Sequence, residues 1–126
     1  MPTPKRVMVI DDDPDFLSYV GIVLDVGGYV VDTALNMAEG LRKIRETPPD
    51  LVIVDVMLSC AFAGWSISRE LENDSRLCRV PILMVSAIVS MQDDDLFPVE
   101  QRDLASAFLS KPIEPAALLE RVSDLL

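Results

Sequence analysis

The sequence predicts an α/β fold, a parallel sheet wound on both faces by helices, and three observations predict it. Short continuous apolar runs recur along the chain: Val7-Met8-Val9-Ile10, Leu51-Val52-Ile53-Val54, Pro81-Ile82-Leu83-Met84-Val85 and Ala107-Phe108-Leu109. Runs of that length without polar alternation fit strands covered on both faces. Between them lie stretches with helical apolar spacing, so that strand and helix patterns alternate five times and imply right-handed βαβ units. Each of the four runs also stops on a polar residue: Asp11-Asp12, Asp55, Ser86 and, once Ser110 has closed the last run, Lys111-Pro112.

The elements follow in order. The first strand covers about 5–10. Pro14 suits the first turn of a helix whose apolar positions are Phe16, Val20, Val23 and Leu24, and Gly27-Gly28 stop it. Tyr29-Val30-Val31 begins a second strand. Asn36 can cap a helix with Met37, Leu41 and Ile44 on its apolar face, closed by Pro48-Pro49. A third strand covers about 50–54, and a loop over 56–63 leads to a helix near 64–73 bearing Trp65, Ile67 and Leu71. The fourth strand covers about 80–85. Residues 87–104 read as a long acidic loop with Pro98 and a short polar helix. A fifth strand covers about 106–109, and Glu114-Pro115 opens a last helix with Leu118, Leu119, Val122 and Leu126 inward.

Composition bounds the function. The 126 residues are read as one domain over 1–126, large enough for a real core. Twenty-one acidic and eleven basic residues give a net charge of −10, the opposite of a nucleic-acid footprint. No apolar stretch approaches a membrane span and no basic segment precedes an apolar one, so a cytoplasmic protein without membrane contact is expected. Cys60 and Cys78 have no metal or redox spacing. The chain has no histidine, which excludes imidazole acid–base chemistry and a phosphohistidine of its own.

In an open α/β sheet, ligands bind beyond the carboxyl ends of the strands. Parallel packing of the four runs would therefore gather three carboxylates, a hydroxyl and an ammonium at one edge. Carboxylates without histidine or thiolate suit a hard ion, Mg²⁺ or Mn²⁺. Asp11-Asp12-Asp13-Pro14 could instead be a helix cap, but Asp13 alone suffices for that. Asp55, at the end of an aliphatic run, reads as a nucleophile forming an acyl phosphate. Lys111 is its natural counter-ion and Ser86 a natural donor to a phosphoryl oxygen.

With these residues in place, the chain resembles a response-regulator receiver domain of two-component signalling over essentially its whole length. The matching segments are the acid pair in VMVIDDDPDF, Asp55 in PDLVIVDVM, Ser86-Ala87 in PILMVSA and Lys111-Pro112 in FLSKPIEP. The resemblance implies a flavodoxin-like sheet of five strands in order 2-1-3-4-5 with five helices. It implies a phosphoacceptor switch rather than an enzyme: Asp55 takes a phosphoryl group from a histidine kinase or phosphotransfer protein. Asp12, Asp55 and the Met57 backbone carbonyl then hold Mg²⁺, with Asp11 helping through water. Lys111 pairs with the phosphoryl group, and Ser86 turns toward it on activation. Phe108 falls at the family's switch-aromatic position, where ordinary core packing is the alternative. An output domain or protein partner, and a monomer or weak homodimer, are implied in the same way.

The pattern departs from the family in two places. Ser59 and Ala63 stand where proline and glycine are usual, with Gly64 one residue late, in a loop made apolar by Cys60, Ala61 and Phe62. Ala105-Ser106 replaces the usual Gly-Ala turn, after a lengthened stretch from Ser86. Two other readings compete. One is a pseudo-receiver that binds partners constitutively. The other is a small aspartyl-phosphate phosphatase of the haloacid-dehalogenase type, for which Asp11 and Asp13 have the right spacing but Pro14 and the lack of room for a cap domain do not fit.

Overall fold

A computed structural model describes residues 4–55, 69–71, 73–86, 107–110 and 113–126, with backbone only for 86, 107, 108 and 110. The described strands are β1 (Arg6–Ile10), β2 (Val30–Ala34), β3 (Leu51–Asp55), β4 (Ile82–Ser86) and β5 (Ala107–Ser110). All pairings are parallel, in the order β2-β1-β3-β4-β5. Helices α1 (Pro14–Val26), α2 (Met37–Glu46) and α3 (Pro115–Leu125) are described, together with a helical turn at 69–71. The expected helix near 64–73 therefore lies mostly, and the polar helix within 87–104 wholly, outside the described residues.

Strand alternation divides the core into two layers. Met8, Ile10, Val52, Val54, Ile82 and Met84 pack with Ala34, Ile44, Leu71 and Leu77 on one face. Val7, Val9, Leu51, Ile53, Leu83 and Val85 pack on the other, against α1 and α3 through Leu17, Val20, Leu24, Leu118 and Val122. Nearly every residue of the three central strands is buried, which is why their sequences read as unbroken apolar runs.

The caps are local. Asp13 accepts from the Asp15 amide at 3.0 Å at the start of α1, and Asn36 accepts from the Glu39 amide at 2.8 Å at the start of α2. Gly27 caps α1, and Gly28 follows at φ +89°, a conformation that disfavours a side chain. Three details of the helical faces differ from the sequence reading. In α1 the deeply buried position is Leu17, whereas Phe16 packs at the core's margin. In α2 the buried positions are Gly40 and Ile44, with Met37 and Leu41 partly covered. In α3 Leu126 is exposed, and Leu118 and Val122 carry the burial. The other expected positions, Val20, Val23 and Leu24 of α1, Ile44 of α2, and Leu118 and Val122 of α3, are buried, so the sheet settles single positions at the margin of each apolar face.

The free edge of β2 is closed locally. Val30 donates to the Lys5 carbonyl and the Ala34 carbonyl accepts from Asp11, so alternation leaves the polar groups of Thr33 facing outward. The Thr33 amide donates to Asp32 Oδ1 at 3.0 Å, and Lys43 Nζ of α2 donates to the Thr33 carbonyl at 2.6 Å. Lys43 also pairs with Glu39 at 3.1 Å and Asp32 at 3.5 Å. With the Thr33 groups engaged, this end of the edge strand is a poorer template for another chain.

Candidate functional site

The register explains how two acids far apart in sequence meet. Val7 lies beside Leu51 and Val9 beside Ile53, on the face that packs against α1 and α3. Two residues on, the same row brings Asp11 next to Asp55 on the neighbouring strand. Asp11 is fully buried and Asp55 is 8% exposed. The Asp11 amide extends the β1–β2 pairing by donating to the Ala34 carbonyl at 3.1 Å. Its carboxylate accepts from the Asp13 amide at 2.9 Å, which fixes it as the chain turns into α1.

Asp12, the next residue in the same turn, is exposed. One carboxylate oxygen from each of Asp11, Asp12 and Asp55 lies within 4.8 Å of the others. Three carboxylates so close, two of them buried, favour a cation among them. The donors are all carboxylate oxygens, the set a hard divalent ion prefers. The structure thus brings together the three acids singled out in the sequence. Asp13 takes no part in the cluster and serves as the α1 cap.

The strand ends lie one residue later than the apolar runs implied, so Asp55 and Ser86 end their strands instead of following them. Asp55 is registered against Val85, and Ser86 against Ser110. Phe108 lies on β5 opposite Met84. The side chains of Ser86 and Phe108, and Met57 and Lys111 altogether, lie outside the described residues, so their expected roles carry no geometry here.

Sequence reasoning did not single out Tyr19. Its hydroxyl, on α1, donates to the Ile113 carbonyl at 2.6 Å, just beyond Lys111-Pro112. No local signal marks this bond, because its ends are 94 residues apart.

Comparison with known proteins agrees with this geometry. A family model described as the response regulator receiver domain matches residues 7–123. The chain is 33% identical over 122 residues to the DNA-binding dual master transcriptional regulator RpaA of Synechocystis sp., covering 96% of this chain and 48% of that protein. It is 26% identical to the polar-differentiation response regulator DivK of Brucella anthropi, covering 98% and 97% of the two chains. The solved structure of the chemotaxis response regulator CheY4 of Vibrio cholerae matches with a TM-score of 0.86 at 26% identity, covering 98% of this chain and all of that one. The chain therefore spans about half the length of RpaA and nearly the whole of DivK.

Proposed function

The chain belongs to the response-regulator receiver family, and from that premise we propose that it is a phosphoacceptor switch whose acceptor is Asp55. The observation that supports this best is the clustering of Asp11, Asp12 and Asp55, two of them buried, at the carboxyl end of a parallel sheet. In this reading an Asp55 carboxylate oxygen forms a bond to phosphorus as the P–N bond of a kinase or phosphotransfer protein's phosphohistidine breaks. The electron pair stays on the imidazole nitrogen, and Asp55 becomes an acyl phosphate.

Asp11, Asp12 and Asp55 would hold Mg²⁺, with the Met57 carbonyl completing the protein's share. The ion's chemistry is to neutralise charge on the phosphoryl oxygens. The remaining roles belong to the chain. Lys111 pairs with the phosphoryl group, and Ser86 donates to one of its oxygens. Phosphorylation then biases a two-state equilibrium, with Phe108 moving together with Ser86. The helix expected near 64–73 and the short polar helix expected within 87–104 complete a five-helix receiver in this proposal. The protein acts in the cytoplasm, without membrane contact, as a phosphoacceptor and not as a turnover enzyme. It passes the signal to a protein partner or an output domain.

Incubation with Mg²⁺ and acetyl phosphate, borohydride trapping and mass spectrometry test this directly. The expected result is an adduct on Asp55 that is absent in Asp55→Asn. No adduct on the wild type, or an undiminished one in the variant, would sink the reading. If Mg²⁺ also leaves the resonances around Asp55 unchanged, constitutive binding by a pseudo-receiver replaces it.

A further inference from the structure

At Gly40, helix α2 presses against the strand that leads into the acid pair. A Cβ on Gly40 would run into Ile10 Cδ1 and stand only 2.9 Å from Ile10 Cγ1. Ile10 is the last residue of β1 and directly precedes Asp11. It is fully buried, in the core layer with Met8, Ala34, Ile44 and Val54. Being β-branched, it is also stiff at χ1. Swinging the tip of the side chain therefore cannot relieve crowding at Cγ1, and the strain passes to the Ile10 backbone.

The helix has little freedom to retreat instead. Lys43, on α2 beyond Gly40, donates to the Thr33 carbonyl at 2.6 Å and ties the helix to β2. The next carbonyl along β2, that of Ala34, accepts from the Asp11 amide at 3.1 Å. Only Leu35 separates Ala34 from Asn36, the residue that caps α2. Asp11 is thus held from two sides that α2 fixes: through Ile10 by the Gly40 contact, and through Ala34 by the cap and the Lys43 tie. A displacement at Gly40 reaches Asp11 along both routes. The Asp11 carboxylate oxygen lies within 4.8 Å of those of Asp12 and Asp55.

We propose that Gly40 is a positioning residue for Asp11 that tunes the acid cluster to Mg²⁺, its missing side chain letting α2 settle on Ile10 and hold the end of β1 in place. The inference rests on the reading in which Asp11, Asp12 and Asp55 hold Mg²⁺. It goes beyond that reading by assigning the choice of ion to a buried helix–strand contact. Mg²⁺ demands near-ideal octahedral geometry at about 2.0–2.1 Å, whereas Ca²⁺ accepts longer and less regular coordination at about 2.3–2.6 Å. A small shift of one carboxylate among three therefore penalises the smaller ion more. Gly40 is buried on α2 and has no side chain with which to touch the ion itself.

The test titrates wild type, Gly40→Ala, Ile10→Val and the double variant with Mg²⁺ and, separately, with Ca²⁺. Gly40→Ala is expected to weaken Mg²⁺ about tenfold, as loss of a group that orients a metal ligand does, and Ca²⁺ by no more than about twofold. Ile10→Val removes Cδ1, the most crowded atom. In the double variant it is expected to bring Mg²⁺ affinity back to within about threefold of wild type, the signature of two coupled positions. If Gly40→Ala does not fold, Ile10→Val alone carries the test, because it loosens the same contact. It is then expected to weaken Mg²⁺ about threefold and leave Ca²⁺ unchanged. Mg²⁺ and Ca²⁺ weakening together, Mg²⁺ unchanged while the melting temperature falls, or no rescue in the double variant each overturns the proposal. A wild type that binds no Mg²⁺ brings down the metal reading and this inference with it. A wild type that binds Mg²⁺ no more tightly than Gly40→Ala does removes only the inference.

Discussion

Two clusters of acids sit on this sheet, and their surroundings give them opposite characters. At the free edge of β2, Asp32 and Glu39 share Lys43, all three side chains about a quarter to a third exposed. At the ends of β1 and β3, Asp11, Asp12 and Asp55 converge with two of the three buried. The first cluster holds a cation supplied by the chain, and water screens what remains, so its contribution to stability is modest. The second gathers carboxylate oxygens where solvent screens them poorly, a donor set that suits a divalent cation better than structural support. Burial, more than acidity, separates a clasp from a site.

The sharpest way to break that contrast is at the acceptor. Asp55→Asn is expected to abolish labelling by acetyl phosphate completely, read by mass spectrometry after borohydride trapping. Next, Asp11→Ala is expected to weaken Mg²⁺ by at least about tenfold in a calorimetric titration. It should also raise the thermal stability of the metal-free protein, because a buried like charge is removed. An Asp11→Ala protein that is both weaker for Mg²⁺ and less stable without it would mean that the acid is structural.

The packing beneath the site gives a third test. A Cβ on Gly40 of α2 would overlap the side chain of Ile10, the residue immediately before Asp11. Gly40→Ala is therefore expected to cost about 1–3 kcal/mol by overpacking, despite the helix preference for alanine, measured by denaturant unfolding.

The smallest effect is expected at the edge clasp. The hydrogen bond from Lys43 holds the Glu39 carboxyl below its ordinary value of 4.5, and the bond to Glu39 holds the Lys43 ammonium above its ordinary 10.5. The lowered Glu39 contributes stability above pH 4.5, which is lost as pH falls through its folded value. The raised Lys43 contributes below pH 10.5, and that is lost as pH rises through its folded value. Lys43→Met should thus lower the melting temperature slightly at neutral pH, with the difference from wild type shrinking at both extremes.

The strands and the acid cluster were legible in the sequence because both depend on local pattern. Strands buried on both faces need unbroken apolar runs, and the residue that ends such a run sits at a sheet edge whatever the rest of the chain does. The helical faces were legible only to within a residue. Phe16 and Leu17 are adjacent and both apolar, and the contacts of α1 with the sheet decide that Leu17 goes deeper. Leu126 fits the period of α3 but lies past its end, where it stays 36% exposed.

By itself the sequence determined the alternation of strands and helices, the caps at Asp13 and Asn36, and the chemical set of Asp11, Asp12 and Asp55. These rest on interactions within a few residues or on burial patterns that each segment carries alone. Tertiary structure decided the rest: the row that places Asp11 beside Asp55, the exposure of Asp12 next to two buried acids, the Lys43 clasp on Thr33, and the bond from Tyr19 to Ile113. Each joins segments whose separation along the chain says nothing about their distance in space. Register and packing set that distance only once the sheet has formed.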